Sequence, residues 1–89
     1  MQVKSVKFSL IFTPKVQKQL DDLPEKDRKQ YDKAFELLAN NGATYRSLRT
    51  HRYRSKDGDI WISSASMAKR FYWWYLEGEN IEVIYVDSH

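Results

Sequence analysis

From residue 6 to residue 12 the side chains alternate. Val6, Phe8, Leu10 and Phe12 fall on one side, and Lys7, Ser9 and Ile11 on the other. A period of two predicts a strand over residues 6–12. Thr13-Pro14 then reads as a helix start, with Thr13 as N-cap and Pro14 at the first helical position, where its missing N–H costs nothing. Val16, Leu20 and Leu23 give this short helix its apolar stripe. Pro24 restarts the chain, and Tyr31, Ala34, Phe35 and Leu38 follow the i, i+3, i+4, i+7 spacing of a second helix. Asn41-Gly42 ends it, since glycine accepts the left-handed conformation common after a helix.

Past Gly42 the pattern is that of strands and turns. Asp57-Gly58 marks a hairpin between strands over residues 45–55 and 60–66. A tight connection near Met67-Ala68 leads to an aromatic strand over residues 70–76, and Gly78 turns the chain into a last strand over residues 81–87. The order β-α-α-β-β-β-β predicts one α+β domain, with two N-terminal helices on one face of a twisted antiparallel sheet. Along the third strand of the meander, Phe71, Trp73 and Tyr75 share one face, while Arg70, Tyr72 and Trp74 share the other. Helices covering a single face would leave the second set open.

Composition narrows the chemistry. At 89 residues there is room for one domain, and a chain this short removes only roughly 60–65% of its unfolded surface from water. Thirteen Phe, Tyr and Trp residues supply the bulk that such a small core needs. There is no cysteine, which removes disulfide scaffolds, thiol chemistry and cysteine-based zinc sites. With only His51 and His89 besides, no metal site is expected. The longest early apolar run is five residues, short of a signal peptide or a membrane span, so a soluble, cytoplasmic protein is expected.

The net charge of +3 hides an uneven spread. Residues 43–70 carry seven basic and two acidic side chains, whereas residues 71–89 carry no basic and four acidic ones. The basic charge concentrates in YRSLRTHRYRSK, residues 45–56, which contains no acid. Such a cluster suits a polyanion, and nucleic acid is the first candidate. On a strand, Arg49, His51 and Tyr53 would share one face, with Arg46, Leu48, Arg52 and Arg54 on the other. Leu48 belongs in a core, which favours Arg49, His51 and Tyr53 for an open groove; Arg52 and Arg54 would emerge near the hairpin end.

The order and spacing of these pieces resemble the RelE/ParE superfamily of bacterial type II toxins, and within it the RelE/YoeB-like mRNA interferases. The resemblance covers nearly the whole chain. It rests on the opening strand, the helix-Leu-Pro-helix segment closed by Asn41-Gly42, and Ser47-Leu48-Arg49 at a strand start. It rests further on Gly58-Asp59-Ile60-Trp61 followed, nine residues after Trp61, by Arg70-Phe71-Tyr72-Trp73, and on the Asp87-Ser88-His89 ending. The resemblance implies a RelE-like fold, entry into the ribosomal A site, and mRNA cleavage with no metal or cofactor. The ribose 2′-hydroxyl attacks the adjacent phosphate. It also implies a cognate antitoxin, with which the chain would form a hetero-oligomer.

Under that resemblance Arg70 is the cation for the phosphorane, because a guanidinium pairs with two phosphate oxygens and stays ionised. His89 matches the family's C-terminal histidine to within one residue and His51 is the alternative; imidazole is the side chain best suited to move a proton near neutral pH. Arg49, Arg52, Arg54 and Lys69 are candidate phosphate contacts, and Tyr72 and Trp74 candidate base-stacking surfaces. One departure stands out: many such interferases carry Arg or Lys on the strand after the Gly-x-Trp position, where this chain has Ser63, Ser64 and Ser66. That leaves open a ParE-like gyrase inhibitor, or a non-catalytic basic module that binds RNA or the ribosome.

Overall fold

The computed structural model describes residues 7–88; Val6 and His89 lie outside them. The opening strand is β1 (Ser9–Phe12), with Leu10 and Phe12 turned inward as the alternation requires. Helix α1 (Pro14–Asp21) starts as read: Thr13 Oγ1 accepts from the Val16 N–H at 3.1 Å, with Pro14 opening the helix. Helix α2 (Glu25–Asn41) buries Tyr31, Ala34, Phe35 and Leu38. It stops at Gly42, whose φ is +68°, and a Cβ there would lie 2.8 Å from the Phe8 ring. Backbone conformation and space both demand glycine at that point.

Four strands follow: β2 (His51–Ser55), β3 (Gly58–Ser66), β4 (Lys69–Tyr75) and β5 (Asn80–Ser88). They form an antiparallel meander, and the sheet order is β1-β5-β4-β3-β2. The fold is the expected α+β arrangement with one refinement: β1 pairs with β5 in parallel, so the sheet is mixed. Its two central neighbours, β4 and β5, supply Phe71, Trp73, Ile81, Val83 and Val86 to the core beneath the helices. Phe35 of α2 meets the edge of Phe71 with centroids 5.0 Å apart, and packs on Phe12 at the same distance.

One expected strand is shortened. Residues 45–48 do not extend β2; Arg46–Leu48 form a 3-10 turn after a first such turn at Gly42–Thr44. Burying Leu48 against the core is what bends the backbone away from the sheet here.

The helices are joined at the surface by Arg28, which bonds Asp21 at 3.0 Å and Asp32 at 3.1 Å. The Arg28 guanidinium, and then the Gln17 amide, hold the Asp21 carboxyl below its ordinary value. A lowered folded-state value means a contribution present above the unfolded value and lost as pH falls through the folded one. In Arg28→Gln the Asp21 carboxyl is expected to titrate closer to an ordinary aspartate, read by carbon-detected NMR; an unmoved midpoint would reject this cause. Asp21 is solvent-exposed, so its effect on stability is small.

Candidate functional site

The helices cover one face of the sheet, and the other is open. On the open face, β2, β3 and β4 line a groove of about 620 Å³. The pairing explains who meets there: His51 sits opposite Ile62, Ile62 opposite Tyr72, and Ser64 opposite Arg70. Arg49 joins from just before β2, where a left-handed backbone (φ 49°, ψ 46°) turns the chain from the 3-10 segment into the strand. At the lip, the β3–β4 turn carries Met67, 94% exposed, and the irregular pairing between Ser64 and Ser66 bends the strand end that supports it.

Two guanidinium groups, Arg49 and Arg70, thus share a groove with His51 and the Tyr72 ring, and among the described residues no acidic one lines it. Among the described residues neither arginine has a carboxylate within ion-pair distance. Unpaired cations facing one concavity form an anion site, and the planar fork of arginine fits phosphate. Tyr31 of α2, buried on the far side, anchors this end of the sheet: its hydroxyl lies 3.4 Å from the Arg70 carbonyl oxygen and 3.2 Å from that of Asp87.

The structure does not bring every sequence candidate to the groove. Lys69 points to the helix side of β4, where Asp27 holds it at 3.3 Å with the side chain 14% exposed; strand parity separates it from its neighbour Arg70. Arg52 and Arg54 lie on the face of β2 opposite His51. Arg52 sits 3.7 Å from Asp59 with its guanidinium 5.9 Å from the Trp61 ring centroid. Arg54 is exposed across from Asp59 near the hairpin end. Trp74 is on the open face but outside the groove, its indole N–H donating to Glu82 Oε1 at 2.9 Å. Of Ser63, Ser64 and Ser66, the first is fully buried and only the other two line the groove.

Two neighbours of the site escaped the sequence reading. Tyr85 packs edge-on against Tyr72 with centroids 5.5 Å apart, and Asp87 lies across from Arg70 on β5. Counting back from Tyr75 opposite Ile81 would put Ile84 across from Tyr72; a bulge between Tyr72 and Trp73 substitutes Tyr85. No local residue pattern announces that bulge.

A scan against protein-family models finds no match, and a search of curated proteins finds none either. Solved structures do match. A chain of the archaeal RelE–RelB complex from Pyrococcus horikoshii OT3 aligns with a TM-score of 0.77 at 11% identity, over 92% of this chain and 94% of that one. The chain has the RelE/YoeB toxin fold. The YoeB–YefM complex from Staphylococcus aureus aligns with a TM-score of 0.73 at 13% identity, over 92% of this chain and 97% of that one. The YoeB/ParE toxin from Agrobacterium tumefaciens gives 0.72 at 12% identity, over 92% and 99%. Coverage is near complete on both sides of each alignment. Among the described residues no helix is long and apolar enough to cross a membrane, and no group of three or more His, Asp or Glu is placed to hold a metal ion.

Proposed function

We propose that this chain is the toxin of a type II toxin–antitoxin pair, and that its groove cleaves mRNA on the ribosome. The observation that carries the reading is the convergence of Arg49, His51, Arg70 and Tyr72, with no acidic lining among the described residues, in one groove on the open face of a RelE/YoeB fold. In the proposed reaction an imidazole takes the proton of a ribose 2′-hydroxyl, and the oxygen forms a bond to the adjacent phosphorus. Arg49 and Arg70 neutralise the phosphorane as charge develops on its oxygens. The bond to the 5′-oxygen breaks and that oxygen leaves with a proton, giving a 2′,3′-cyclic phosphate and a 5′-hydroxyl.

His51 is the imidazole in the groove, and His89, outside the described residues, is the second one expected from the resemblance. Tyr72, backed by Tyr85, offers a face on which a base can stack. A cognate antitoxin is the expected partner, as the RelE–RelB and YoeB–YefM complexes among the structural neighbours suggest. A ribosomal target places the protein in the cytoplasm.

The test adds purified protein to a translating extract and maps the reporter mRNA by primer extension. Breaks within the translated region, absent when ribosomes are omitted, are the expected result. Intact mRNA with arrested gyrase supercoiling would instead favour the ParE-like reading, to which the serines of the groove and the YoeB/ParE neighbour lend support. Salt-sensitive RNA association with neither effect would indicate a binding module.

A further inference from the structure

Arg49 is the one non-glycine residue with positive φ among those described. In that conformation the Cβ crowds the following carbonyl, and a side chain other than glycine stays there only when its surroundings over-determine it. The flanking residues do so. Before it, Leu48 is buried in the core, and the Arg49 N–H closes the 3-10 turn onto the Arg46 carbonyl at 3.0 Å. After it, Thr50 Oγ1 lies 2.7 Å from Ser63 Oγ. Ser63 is fully buried, and its oxygen also accepts the indole N–H of buried Trp73 at 2.9 Å. The segment is therefore fixed to the core on both sides of a single residue, and that residue projects into the groove.

We propose that Thr50 is a positioning residue: its hydroxyl, anchored on Ser63, holds Arg49 in the left-handed backbone that delivers the Arg49 side chain to the groove. Thr50 itself cannot touch a ligand in the groove, because its hydroxyl is turned to the opposite side, onto Ser63. Its role is exerted through Arg49. The inference rests on the reading of the groove as an RNA-cleaving site, and a structural measurement separates the two.

Thr50→Val removes the hydroxyl at nearly constant shape, Thr50→Ser keeps it, and Ser63→Ala breaks the same bond from the other end. In labelled protein without RNA, the Cα shift and the amide–Hα coupling of Arg49 report its backbone. Wild type and Thr50→Ser should keep the left-handed signature, and Thr50→Val and Ser63→Ala should lose it. In the translating extract, Thr50→Val should slow reporter cleavage about 10- to 100-fold, the scale expected of a misplaced site group. The same change on an Arg49→Ala background should add little further loss, which a merely structural role would not produce.

A left-handed Arg49 surviving in Thr50→Val and Ser63→Ala overturns the proposal. So does a Thr50→Val penalty as large without the Arg49 side chain as with it. If the wild-type protein leaves mRNA whole, the cleavage reading falls and the NMR comparison alone decides whether Thr50 holds Arg49.

Discussion

Arg70→Ala is expected to lower ribosome-dependent mRNA cleavage by about 100- to 1,000-fold, the usual cost of deleting one preorganised group that stabilises transition-state charge. The melting temperature should barely move, because the side chain is exposed and holds no ion pair among the described residues. Arg70→Lys keeps the charge but loses the two-point fork, so its rate should fall between wild type and the alanine variant. Arg52→Ala is the matched control. That arginine lies on the opposite side of the sheet beside Asp59 and Trp61, and its removal should leave the chemical step nearly intact. Single-turnover cleavage by purified variants at fixed ribosome concentration measures all three. Equal losses for Arg52→Ala and Arg70→Ala would mean that both act through general charge, and would remove the special role assigned to Arg70.

Much of the fold was legible because its signals are local. Thr13-Pro14, Asn41-Gly42 and Asp57-Gly58 each state a backbone requirement within a few residues, and the structure meets each of them. The 3.6-residue stripe of Tyr31, Ala34, Phe35 and Leu38 needs only its own helix to be recognised. What was not legible depends on distant partners. The direction of β1 against β5 is set by how the helical segment crosses the sheet, and no residue near Leu10 records it. Residues 45–48 read as strand because alternation cannot distinguish an extended segment from a short 3-10 turn.

The site divides along the same line. Parity placed Arg70, Tyr72 and Trp74 on the open face, and it holds within that strand. It could not foresee that Trp74 would engage Glu82 or that Lys69 would be drawn to Asp27 on α2. Arg49 and His51 do reach the same groove, but not by the simple alternation of a continuous strand; the left-handed turn at Arg49 redirects the chain between them and Leu48. Charge clustering singled out residues 45–56, and only the tertiary pairing sorts its cations into those facing the groove and those on the other side of the sheet.

The second large effect is expected in the core, from one of two adjacent tryptophans. Trp73 is fully buried: it stacks on Trp61 at 5.7 Å, meets the Tyr75 edge at 5.0 Å and donates its N–H to Ser63. Trp73→Ala removes this packing and leaves a cavity, at a cost of about 3–5 kcal/mol. A domain of this size has a total stability of roughly 5–13 kcal/mol, so the variant should lie near the edge of folding at 37 °C. Trp74, one residue away, is half-buried on the open face and bonded to Glu82. Trp74→Ala should cost less than half as much and leave a cooperative transition. Urea unfolding followed by far-UV circular dichroism measures both midpoints. The contrast also controls every activity measurement on this protein. Loss of cleavage in Trp73→Ala must accompany loss of fold, whereas in Arg70→Ala it must not. Equal destabilisation by the two tryptophan substitutions would contradict the division of β4 into a core face and an open face, on which the position of the groove depends.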